Sequence, residues 1–323
     1  MADESDAASG GPIGGSGSAG RLKRIAKPAM MMLAGIFVVL AGWDLVRRWE
    51  PGRFQLGWGL ALLSAGPLLL GSLLQGVGWV ALIDKMTGQR VPRGPALALY
   101  LDSQLARYTP GKVGLPLVRM AGADRIGAPA SSVGSSVLVE MLSWTAVGSG
   151  TGFALLYATN EHAGGVVQLL GRWGLPLVGF CLVGLLGLIL LDRRRIPHRI
   201  LAPLGLVGDG PLVPPVLPLV HGIYWLTWAV HGWVLTRAVS DVAGAPLAST
   251  GLCILGPVLG FVALAAPAGV GVREAVLAAG LAPIVGSAPA LTLAVVSRIV
   301  SLLADVSAWL VLRPWRNVGA RSA

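Results

Sequence analysis

Apolar runs of about 18 residues or more recur along this chain, and a water-soluble fold has no place for so many. Each is long enough, at about 1.5 Å per helical residue, to cross a hydrocarbon core of about 30 Å. Inside that core the chain must satisfy its own amides and carbonyls, which leaves helices and closed barrels. A barrel would show short segments of alternating polarity, and none is visible. Charged residues make up 12% of the chain against 54% apolar, where a soluble domain carries about a quarter charged. The expected fold is therefore all-α, a polytopic membrane bundle. About six full spans are expected, near residues 28–46, 56–83, 131–157, 175–191, 216–236 and 290–312. Ser131 or Ser132 is placed to cap the third.

The net charge of +10 could signal nucleic acid, but the basic residues cluster beside the apolar runs. That placement is the orientation signal of a membrane protein, and nucleic acid is not an expected partner. Arg21, Lys23, Arg24 and Lys27 precede the first span, and Lys85, Arg90 and Arg93 follow the second. Arg193, Arg194, Arg195 and Arg199 follow the fourth, and Arg313, Arg316 and Arg321 follow the last. Those fourteen share one face, against five on the other (Arg47, Arg48, Arg53, Arg172 and Arg237), so both termini are expected in the cytoplasm. Residues 1–27 read as a disordered leader ending in a basic flank, 28–315 as the transmembrane domain, and 316–323 as a short basic tail. No cleaved signal peptide is expected, and the protein reads as multi-pass in the cell (inner or plasma) membrane. Cys181 and Cys253 fall inside apolar runs and read as packing residues; no metal or other cofactor is expected.

Two stretches break the pattern. The apolar helix expected at 94–107 is too short to span, Thr109-Pro110-Gly111 interrupts it, and a second short helix follows at 115–123. Later the apolar run 247–266 meets Pro267-Ala268-Gly269-Val270-Gly271-Val272-Arg273-Glu274, and 275–284 is again too short. The basic tail stays cytoplasmic only if each stretch returns to its own side. Both therefore read as re-entrant hairpins entering from opposite faces, with a surface amphipathic loop as the alternative for the first. Interrupted helices at corresponding places in two halves suggest an inverted repeat. Pro110, Val113 and Gly114 match Pro267, Val270 and Gly271 in spacing.

Charge and broken backbone survive at bilayer depth only where they line a protected cavity, so the candidate site lies at these breaks. In the second, Arg273 offers a planar fork suited to phosphate. The amides from Gly269 to Gly271 open a helix N-terminus, where anions bind. The alternative is structural, with Arg273 paired to a carboxylate and the glycines allowing close packing. Arg107, Tyr108, Lys112 and Arg119 on the first hairpin either recruit an anionic headgroup or snorkel to lipid heads. Glu140, near mid-membrane, reads as the partner of Arg273 or Arg107, or as a proton carrier. Arg298 and Asp305 share a helix face and read as an internal ion pair; Glu274 balances charge or carries a proton. His221 and His231 lack metal spacing, and Tyr224, Trp225 and Trp228 between them read as interface anchors. No nucleophile–base arrangement is present, and an enzyme is not expected.

Arg107-Tyr108-Thr109-Pro110-Gly111-Lys112-Val113-Gly114, followed by Arg119, resembles the R-Y-x-P-G-K-x-G signature of the lysylphosphatidylglycerol synthase transmembrane-region family. Gly269-Val270-Gly271-Val272-Arg273-Glu274-Ala275 resembles that family's second signature, G-x-G-x-R-E-A, and Glu140 sits where the family often places a glutamate. The resemblance covers residues 28–315. It implies a flippase-like protein that moves an anionic or phosphate-containing lipid headgroup between leaflets. Arg107, Tyr108, Lys112, Arg119, Gly269, Gly271, Arg273 and Glu274 would then bind substrate, and Glu140, Arg298 and Asp305 would balance charge or carry protons. Membrane lipids are the expected partners, with a membrane-bound synthase or glycosyltransferase as a protein partner. The chain departs from the family pattern at Leu115 and Pro116, where many members carry an acid. No aminoacyl-transferase domain follows the last span, so synthesis of lysyl-lipid is not expected. Two other readings stay open: an accessory subunit that binds lipid or a membrane glycosyltransferase without transport, and an enzyme acting on a polyprenyl phosphate. The latter would need an acidic metal-binding loop, which the sequence lacks.

Overall fold

The computed structural model describes residues 56–107, 114–159, 172–203, 205, 210–242, 245–263, 269, 271–312 and 314. The expected leader, the first span, the loop at 160–162 and the basic tail lie outside them, as do Tyr108, Lys112, Thr109-Pro110-Gly111 and Pro267-Ala268. The described chain is helical, and a lone β-bridge joins Asp192 to Pro211. It is an all-α membrane protein. Helices α1 (Trp58–Leu63) and α2 (Ala65–Thr87) make one span-length unit. It stops at Gly88, whose φ of 69° suits a residue without a β-carbon and whose N–H donates to the Asp84 carbonyl. The first hairpin is α3 (Arg93–Ala106) and α4 (Gly114–Ala121), and α5 (Ala130–Ala158) follows. Then come α6 (Gly174–Leu190), the short α7 (His198–Leu201) and α8 (Val216–Val239). The second hairpin is α9 (Ala245–Val262) and α10 (Val272–Val285), and α11 (Ser287–Leu312) ends the bundle.

The starts of α5 and α10 differ from the sequence expectation. No serine caps α5: Pro129 occupies the cap position, and the Ser132 hydroxyl instead donates to the Gly205 carbonyl at 2.7 Å. Helix α10 begins three residues earlier than expected because Gly271, at φ 86°, turns the chain and its N–H is accepted by the Glu274 carboxylate at 2.8 Å. Helix α9 is long and apolar enough to cross a membrane, as are Trp58–Thr87 and Ser287–Leu312. Helices α5 and α8, at 29 and 24 residues, also have spanning length. Their buried polar residues, Glu140, His221 and His231 among them, explain their lower hydropathy.

Side-chain contacts fix the directions. Trp309 on α11 donates from Nε1 to Asp102 of α3 at 2.8 Å, and Arg107 pairs with Asp305, so α3 runs antiparallel to α11 with its C-terminal end near Asp305. Helix α10 turns back into α11 at Gly286, which brings Glu274 opposite Arg298. The base of the first hairpin thus lies toward the end of α11, and the base of the second at its start. The two hairpins enter from opposite ends of the bundle and point their tips at each other.

The packing also repeats. In both α2–α5 and α8–α11 a long helix packs on the first hairpin helix, and the second hairpin helix packs on the next long helix. Across the halves α2 lies on α8; α2 meets α11 as α8 meets α5, and α3 meets α11 as α9 meets α5. Gly71 of α2 faces Thr227 of α8 while Gly78 faces Val220, so the two copies of the first helix are antiparallel and the repeat is inverted.

Glycines set several of these approaches. A β-carbon at Gly148 of α5 would lie 2.5 Å from the ring of Trp225, which is fully buried and cannot move aside. Gly148→Ala should destabilise the protein by about 1–3 kcal/mol through overpacking. Gly184→Ala on α6, where nothing lies within 4 Å, should be neutral or slightly stabilising. Thermal unfolding of the purified protein in detergent compares them.

Candidate functional site

The second hairpin tip is built on absent side chains. Gly269 takes φ 69°, and a β-carbon there would stand 2.8 Å from the Gly260 Cα, so the chain leaving α9 can lie on the helix only as glycine against glycine. The chain then turns at Gly271 and delivers Arg273 and Glu274 on the first turn of α10. Arg273 lies over the Trp228 ring at 4.8 Å. Its Nη1 donates to the Ser301 hydroxyl at 3.0 Å, and its Nη2 donates to Ser297 at both the hydroxyl (2.8 Å) and the carbonyl (3.1 Å). Glu274 stands 3.5 Å from Arg298. The Gly271 amide, expected to face an anion, is taken by Glu274 instead.

At the first tip Arg107 closes α3. It pairs with Asp305, and its Nη1 donates to Gln104 at 3.1 Å. Arg119 is fully buried, lies over Tyr100 at 4.6 Å and Trp79 at 4.8 Å, and donates from Nε to Ser103 at 2.8 Å. It pairs with Glu140, so the glutamate's partner is neither Arg273 nor Arg107. The expected Arg298–Asp305 pair does not form either. Seven residues along a helix is about 10 Å, too far for contact, and each group reaches a different hairpin tip.

The tips meet around a cavity of about 140 Å³. That admits several waters or one small polar group. Arg107, Arg273, Arg298 and Glu140 line it, with Gly269 and the first-hairpin residues Gln104 and Leu115. Arg119 stands behind Glu140 and is not a lining residue. Sequence reasoning missed Gln75 of α2. Its Oε1 accepts from the Tyr100 hydroxyl at 2.9 Å, its Nε2 has no partner, and it is 6% exposed on the cavity wall. An uncharged amide in the middle of a span was the available signal. Trp144 and Trp228 were likewise missed as lining residues.

His221, Tyr224, Trp225, Trp228 and His231 of α8 are buried in the bundle rather than anchored at an interface. His221 Nδ1 meets the Ser143 hydroxyl at 2.9 Å. His231 Nδ1 must donate to the Ser64 carbonyl (3.0 Å), which can only accept; its Nε2 meets Ser297 at 2.9 Å, behind Arg273. Among the described residues no group of three or more histidines, cysteines or carboxylates is placed to hold a metal.

The family profile described as the lysylphosphatidylglycerol synthase TM region matches residues 25–307. The chain belongs to this family. No curated protein sequence matches it. The described residues of each signature lie beside a hairpin tip, and their charged groups reach the same cavity or its immediate backing.

Removing one member of a buried ion pair leaves the other uncompensated, at a cost of about 3–5 kcal/mol, whereas apolar replacement of both is far milder. Glu140→Ala alone should therefore lower expression and thermal stability severely. The double substitution Arg119→Met with Glu140→Leu should recover most of the loss in the same melting assay.

Proposed function

We propose that the protein moves an anionic, phosphate-containing lipid headgroup between leaflets, and that the headgroup rests in the cavity between the hairpin tips. One observation carries this reading: Gln75, whose buried Nε2 has no partner, lines a cavity that three arginines also line. A buried donor without an acceptor costs about 1–3 kcal/mol. A phosphate or carboxylate oxygen in the cavity removes that cost and meets the guanidinium groups at once. The charge count agrees. Around the cavity stand Arg107, Arg119, Arg273 and Arg298 against Glu140, Glu274 and Asp305, an excess of one positive charge among the described residues.

In this reading Arg273 and Gln75 hold the phosphate, Arg107 and Arg298 hold the tips in register, and Arg119 fixes Glu140 on the wall. Tyr108 and Lys112, at the first tip in sequence, assist recruitment. Glu140, with Glu274 and Asp305, balances the charge of the arginines. Inverted hairpins that share one cavity suit alternating access, each tip closing one side in turn. The hydrocarbon chains stay in lipid while only the polar head crosses, which limits desolvation. The protein acts without catalysis, in the cell membrane with both termini cytoplasmic, and its partners are membrane lipids.

The test is leaflet exchange of a fluorescent phosphatidylglycerol in proteoliposomes. Wild type should exchange, Arg273→Ala should lose at least about tenfold, and Gln75→Leu about tenfold, as expected for hydrogen bonds to a charged group. Absence of exchange for every anionic headgroup tried would defeat the transport reading and favour an accessory subunit that serves a membrane-bound synthase or glycosyltransferase.

A further inference from the structure

One stripe of helix α5 is covered at both ends and exposed in the middle. Near its start, a β-carbon at Gly134 would lie 3.0 Å from the sulfur of Met120 on α4. Near its end, Gly152 faces Leu255 of α9 at 2.6 Å on the same measure, and Leu156 lies against Gly251. At about 100° per residue these contacts fall on one stripe of the helix. Leu138, Met141, Leu142 and Thr145 continue that stripe between them. Leu138 is 58% exposed and Leu142 51%; Met141 and Thr145 are half-buried. Between its contacts with α4 and its contacts with α9, α5 therefore leaves a gap in which Leu138 and Leu142 are exposed.

The cavity lies directly behind this gap. Going round α5, Glu140 and Trp144 face the cavity, and Met141 borders both the cavity and the bare stripe. On the α9 side the edge is Phe261, set edge-on to Trp144 with ring centroids 5.6 Å apart. Leu115 at the tip of α4 adds to this apolar side of a chamber that Arg107, Arg273, Arg298 and Glu140 also line. A site for a soluble anion has no use for such a side. A lipid does, because a cavity of about 140 Å³ holds a head and not its chains.

We propose that the stripe of Leu138, Met141 and Leu142 is a lateral window, through which the hydrocarbon chain of a lipid passes into the bilayer while its anionic head sits among the arginines. Met141 and Phe261 form its two edges. The ligand class is thereby narrowed to an amphiphile, an anionic head joined to hydrocarbon, that enters sideways from the membrane. The inference rests on the reading of the cavity as a headgroup site.

Two measurements on the full-length protein test it. The first uses the wild type and a phosphatidylglycerol with a diazirine in its acyl chain, located by mass spectrometry. Adducts should form within residues 138–144 and at Phe261, and saturating glycerol phosphate should reduce them about tenfold by displacing the head. Adducts on the exposed face of α6, such as Phe180 and Val183, should not respond. The second uses Met141→Trp, which narrows the window. It should abolish leaflet exchange yet keep the thermal shift given by glycerol phosphate. Window adducts that ignore glycerol phosphate, or normal exchange in Met141→Trp, overturn the window and leave the headgroup site standing. If glycerol phosphate neither shifts the wild-type melting temperature nor competes with any adduct, the headgroup site falls, and the window with it.

Discussion

Charge and unpaired backbone cannot face hydrocarbon, and the bundle is arranged around that prohibition. Both hairpins bring broken chain and arginine to the middle of the protein. Helix α11 answers both, with Asp305 for Arg107 at one tip and Arg298 for Glu274 at the other. Ser297 and Ser301, one turn apart on the same helix, take up Arg273. Pairs of this kind add little net stability over apolar packing. Here they fix where along α11 each tip stops, and so where the cavity forms.

The inverted repeat explains why two different motifs serve one chamber. Each half offers an arginine on the second hairpin helix lying over a tryptophan from its own first long helix: Arg119 over Trp79, Arg273 over Trp228. Each arginine also bonds to the long helix that follows, through Glu140 in one half and Ser297 in the other. The symmetry is broken in the partners. A carboxylate meets the sealed Arg119, whereas the Ser301 hydroxyl and the Ser297 hydroxyl and carbonyl receive Arg273 at the cavity wall.

Much of this was legible in the residues. Apolar length gave the spans, Pro and Gly gave the breaks, and the asymmetry of basic flanks required hairpins that return. Local chemistry also misled in identifiable ways. Ser131 and Ser132 looked like caps, but Ser132 had a tertiary acceptor in Gly205. Trp225 and Trp228 looked like interface anchors because tryptophan favours that depth; in the fold Trp225 packs against α5 and Trp228 lies beneath Arg273. Glu140 had several arginines in plausible reach, and nothing in the sequence could rank them.

The sequence by itself determined the fold class, the family, and which residues would be charged at bilayer depth. Those follow from composition and spacing along one chain, where the free-energy cost of exposure to lipid is local to each segment. The tertiary structure alone decided which carboxylate meets which arginine, that Gln75 lines the cavity, and that a stripe of α5 is exposed between its contacts with α4 and α9. These depend on the register of helices far apart in sequence. Register is set by side-chain packing across the bundle, such as glycine against tryptophan at Gly148, and one-dimensional pattern does not encode it.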